Sequence, residues 1–149
     1  MTLPFLLGRI VFGGYFLYNG INHFKNRNAL TQYAASKNVP LANIAVPVSG
    51  ALLLFGAASL LLGIKPKYGA TAVVAFLAGV SPMMHDFWRV EDANQRQSEM
   101  INFTKNMALL GAAVALMGVE EPWAASVPVA QPTPIDRART FVRQHRVAA

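Results

Sequence analysis

Four stretches of this chain stay largely apolar for about 20 residues, the length a helix needs to cross a bilayer. They are residues 3–24, 43–63, 68–88 and 98–118. The first carries Arg9 inside it, and the second holds no charge. The third is free of charge from Tyr68 until His85-Asp86. The fourth is apolar from Met107 onward, after a first half that holds Glu99, Asn102, Lys105 and Asn106. This pattern predicts an all-α integral membrane protein. Its architecture is a four-transmembrane-helix antiparallel bundle over residues 1–118, followed by a short C-terminal tail over 119–149.

The connections fit that path. Lys65-Pro66-Lys67 predicts a tight turn between the second and third spans. Residues 25–42 form the longest internal loop, and residues 89–97 are a polar link. Pro47 and Pro82 fall inside spans, where they mark bends that membrane helices tolerate. Gly8, Gly13 and Gly14 in the first span, and Gly111, Ala115 and Gly118 in the fourth, suit close helix contact. The N-terminal run lacks a basic lead and a small-residue cleavage site, so it reads as a retained helix. In the tail, Thr133-Pro134-Ile135-Asp136 resembles a capped helix start. A short basic amphipathic helix over 134–147 and a solvated tail are both open readings.

Composition sharpens the picture. Charged residues make up 13% of the 149 and hydrophobic residues 54%. Soluble domains carry about 25% charged residues, so a disordered chain and an ordinary soluble enzyme are disfavoured. With no cysteine, no disulfide, thiolate metal site or redox thiol comes from this chain. The net charge of +6 suits membrane topology and anionic head groups. No nucleic-acid platform is evident.

An up-down path places the end of span one, the end of span three and the start of span four on one membrane face. Those ends carry the polar residues. Asn19, Asn22 and His23 share a helix face, and Asn102, Lys105 and Asn106 repeat the spacing with Glu99 one turn earlier. His85, Asp86 and Trp88 end the third span. The three sets are expected to converge on one polar pocket between spans one, three and four. Lys105, deep in its span, needs a partner there, either Asp86 or Glu99. Arg9 is expected to snorkel to the opposite surface. The asparagines could equally be interhelical glue, and the histidines and Trp88 interfacial anchors. His23 and His85 are the minimum for bis-histidine haem, but no spacing motif supports it. No metal site is expected.

Several blocks resemble the DoxX family of small bacterial and archaeal membrane proteins. They are Gly8-Arg9-Ile10 with Gly13-Gly14-Tyr15-Phe16-Leu17-Tyr18-Asn19-Gly20, then His85-Asp86-Phe87-Trp88, then Gln97 through Gly111. The resemblance covers residues 3–118 and leaves the tail outside. It implies a four-helix membrane bundle with a quinone-linked or redox-accessory role, in a bacterial or archaeal plasma membrane. The missing cysteine weakens any direct sulfur transfer.

Three functions follow. The leading one is an accessory or scaffold subunit of a membrane redox or respiratory complex, docking other membrane or redox subunits through residues 119–149. The alternative is a quinone-binding subunit resembling that of a thiosulfate:quinone oxidoreductase. There Asn102, Lys105 and Asn106 would hydrogen-bond the head group, and His23 or His85 with Asp86 would relay protons. A small oligomeric transporter is a third reading. No covalent cofactor is implied, and catalytic residues are unassigned. Near-field charge counting places the polar face in the cytoplasm. The uncleaved first helix and basic tail instead place both termini there, and that orientation is adopted.

Overall fold

The computed structural model describes residues 3–123 and 125–127. Among these are five α-helices: α1 (Leu3–Lys25), α2 (Arg27–Ser36), α3 (Ala42–Leu62), α4 (Pro66–Met84) and α5 (Ala93–Met117). A single 3₁₀ turn (Phe87–Arg89) joins α4 to α5. The helix expected at 134–147 lies outside the described residues.

The loop expected over 25–42 is a correction. Most of it is α2, a short helix lying between α1 and α3. Sequence periodicity missed it because it spans only 10 residues of mixed polarity and buries Ala34 alone. The fourth span also begins earlier than expected, at Ala93, where Asp92 caps the helix by accepting the Gln95 backbone N–H at 2.8 Å.

α3, α5 and the run from α4 through the 3₁₀ turn are long and apolar enough to cross a membrane. α1 has the length at 23 residues, but Arg9 and its polar C-terminal end keep it out of that set. α1 packs chiefly on α3, α3 on α4, and α4 on α5. The core runs along these seams, with Phe16, Leu53, Ala57, Leu60, Val73 and Leu77 almost wholly buried. α3 and α4 approach closely because neither has a side chain at the crossing. A Cβ on Gly69 would sit 2.8 Å from the Gly56 carbonyl oxygen, well inside van der Waals contact.

At the end opposite α2 the chain does not simply leave the bundle. Residues after α5 return across it, and Trp123 enters the main core at 2% exposure. The Val127 N–H bonds the Leu62 carbonyl at 2.9 Å. Arg9 does not snorkel outward: it is 3% exposed. Its Nη2 donates to the Leu61 carbonyl at 3.3 Å and the Ala125 carbonyl at 3.1 Å, and its guanidinium lies 5.9 Å from the Trp123 ring centroid. Carbonyls at the end of α3 and in the returning segment give the buried cation hydrogen-bond partners, which offset the cost of taking a charge out of water.

Candidate functional site

The charged residues at the α2 end of the bundle are drawn together by three helix ends. Lys37 follows α2, His85 follows α4, and Glu99 lies in the second turn of α5. Glu99, 7% exposed, accepts from both neighbours. Lys37 Nζ lies 2.7 Å from Oε1, and His85 Nδ1 lies 2.7 Å from Oε2. An ionised carboxylate only accepts, so Nδ1 carries the imidazole hydrogen in this bond. Asp86 Oδ1 lies 3.8 Å from Lys37 Nζ and adds a weaker attraction. The hydrogen bond to Glu99 raises the Lys37 pKa above the usual 10.5, against the opposing effect of its burial. The cluster ties the α2–α3 link to α4 and α5 in one charge-assisted network.

Beside the cluster lies a cavity of about 350 Å³, lined by Lys37, Asn38, Pro82, Met83, Asp86, Trp88 and Arg89. Trp88, Phe87 and Phe103 stack edge to face on one another, at centroid distances of 5.1–5.7 Å. A second, almost wholly apolar groove of about 340 Å³ runs between α1, α2, α3 and α4. Phe76, Leu52 and Val46 line it, with His23 and Tyr33 as its polar side chains of note. Met83 lines both cavities.

The structure therefore divides the residues expected to share one pocket. His85, Asp86 and Glu99 come together. The α1 residues do not join them: among the described residues no hydrogen bond or ion pair links α1 to Glu99, Asn102, Lys105 or Asn106. Asn19 donates to the Tyr15 carbonyl at 2.8 Å. Asn22 accepts from Asn26 at 2.6 Å. His23 Nδ1 bonds the Asn19 carbonyl at 2.7 Å, and its ring stands edge to face with Phe76. The reason is topological. α1 packs on α3, with α4 between α3 and α5, so residues at the same depth need not be neighbours.

Lys105 pairs with neither Asp86 nor Glu99. It is exposed and donates to Asn102 Oδ1 at 3.0 Å, its long side chain reaching back toward the helix start as helical side chains do. The partner of Glu99 is Lys37, which sequence reading placed in a plain loop. The length of the 25–42 connection was the available signal, because long loops in compact folds usually carry structure or function. Asn106 is buried in α5, and Trp88 is exposed at the rim. No group of three or more potential metal ligands occurs among the described residues.

Among the described residues every regular element is a helix, and three helical runs are long and apolar enough to span a bilayer, which defines a helical membrane protein. A family model, DoxX, matches residues 5–86. That is more than half of the chain, which belongs to the DoxX family. The third block of the sequence resemblance, in α5, lies beyond the matched residues. Nothing among curated proteins or solved structures matches the chain.

Proposed function

We propose that this DoxX-family membrane protein is an accessory subunit of a membrane redox complex and offers the outer face of α5 to a partner's helix. α5 carries the reading. It is apolar enough to span a membrane, yet only 6% of its spanning window is buried within the chain, against 39% for α3. Its exposed side presents Thr104, Lys105, Ala108, Gly111, Ala112 and Ala115 beside the larger Ile101 and Val114. α1 instead exposes Leu3, Leu7, Ile10 and Val11. Large aliphatic side chains suit lipid, whereas small ones let another helix approach. The redox assignment rests on the family resemblance. The complex would sit in the plasma membrane with both termini cytoplasmic.

The test is gentle-detergent purification from native membranes, with mass spectrometry of bound proteins. The expected result is a redox subunit that co-purifies with the wild type and is lost in Gly111→Leu/Ala112→Leu. A solitary wild-type chain would overturn the reading.

A quinone-binding role is the second reading. One observation favours it: the polar cavity at Asp86, Trp88 and Arg89 adjoins the apolar groove through Met83, a pairing that suits a polar head and an apolar tail. Organic extraction of the purified chain tests it. Retained quinone supports the reading, and its absence removes it.

A further inference from the structure

We propose that the apolar groove between α1, α2, α3 and α4 binds an apolar molecule bearing a hydroxyl group, such as a phenol or a long-chain alcohol, which donates its hydrogen to His23 Nε2. The inference concerns a ligand rather than a partner protein and does not depend on the accessory role.

The chemistry begins at Nδ1. The Asn19 backbone carbonyl, 2.7 Å away, can only accept, so Nδ1 bears the hydrogen of the neutral imidazole. Nε2 is then a lone-pair acceptor. Among the described residues His23 makes no second hydrogen bond. The side chain is packed at its ring and at its Cβ. Phe76 packs against it with centroids 6.0 Å apart. Gly50 lies behind it, where any Cβ would fall 2.7 Å from that of His23. His23, which carries that acceptor, lines a groove whose other residues are overwhelmingly aliphatic and aromatic.

The other polar groups do not compete for the role. Ser49 spends its hydroxyl hydrogen on the Val46 carbonyl at 2.9 Å, and Tyr33, at the groove's edge with His23, is 45% exposed. At about 340 Å³ the groove is within the usual size range of small-molecule sites, which are mainly apolar with a few placed polar groups. An acyl chain fills such a groove but leaves Nε2 without a hydrogen bond. An ester or a quinone carbonyl presents oxygen lone pairs to another lone pair. A hydroxyl-bearing apolar molecule satisfies both the groove and the nitrogen.

The experiment uses the full chain in lipid nanodiscs, with empty nanodiscs as the partition control. Calorimetry compares para-octylphenol with para-octylanisole, in which a methyl group caps the hydroxyl. The phenol is expected to bind about tenfold more tightly, the worth of one good hydrogen bond. In parallel, the NMR resonance of His23 Nε2 should move with the phenol and stay put with the anisole. In His23→Phe the preference should vanish. Equal affinity of the wild type for the two compounds, or an Nε2 resonance unmoved by the phenol, would overturn the proposal. So would a preference that survives in H23F. The resonance is read on the unaltered chain, so the test stands even where H23F does not fold.

Discussion

Arg27 donates from Nη2 to the backbone carbonyl of Asn43 at 3.2 Å, and that carbonyl is the one that Pro47, four residues on, has no N–H to satisfy. A proline inside a helix removes one rung of the hydrogen-bond ladder, and here a side chain from α2 fills the gap. Substituting Arg27→Ala should cost about 1 kcal/mol of stability. The same change should cost clearly less in a Pro47→Ala background, where the helix supplies its own donor. A double-mutant cycle by denaturation in detergent measures the difference, and strict additivity would show that the two residues are uncoupled.

Glu99 holds two partners at once, so its loss should be felt more than that of either partner. Glu99→Gln leaves the Lys37 charge without its carboxylate. The expected cost is roughly 2–3 kcal/mol, at or below the low end for breaking a buried pair, because Lys37 and His85 retain 16% and 19% side-chain exposure. Adding Lys37→Met to E99Q should recover part of the loss. A double variant less stable than E99Q would refute the charge argument.

The same pair has a defined pH dependence. The folded state holds the Lys37 pKa above 10.5, chiefly through the Glu99 hydrogen bond. A raised pKa means a contribution fully present below the unfolded value and lost as pH climbs through the folded one. The difference in melting temperature between wild type and Lys37→Met should therefore be flat from about pH 7 to 10 and shrink above that. A difference that collapses at neutral pH would point to another titrating group.

Trp123 should matter as much as a core residue of the helices. Trp123→Ala should cost about 3 kcal/mol or more, the usual range for truncating a buried aromatic, and should loosen the contacts of Phe5 and Arg9 with it. Limited proteolysis after Met117 provides the readout, with faster cleavage in the variant. An unchanged rate would mean that the returning segment is held without the indole.

Helices at the four expected runs were legible in the sequence, three of them apolar enough to cross a membrane, because apolar runs of bilayer length have few other uses. α3 lies within one residue of the expected 43–63 at each end. His85, Asp86 and Glu99 were legible as polar residues at the ends of apolar runs, where burial demands partners. Lys37 was not, because its pairing joins positions 62 residues apart through a short helix with little periodicity. The convergence of α1 with α5 failed for a related reason. Alternating direction tells which end of the bundle a residue occupies, but not which helix stands beside it. Arg9 was misread because its acceptors lie at the end of α3 and in the segment after α5, and neither local pattern announces them.

Arg9 also sets an order of events during biosynthesis. It lies in α1, which leaves the ribosome before the other described helices, while the Ala125 carbonyl that accepts from it is made 116 residues later. A growing chain must carry this cation through insertion of every later helix before the last acceptor arrives. Synthesis of the segment after α5 and the final settling of α1 are therefore coupled, and a polypeptide stopped at Met117 would reach the membrane without the Ala125 acceptor.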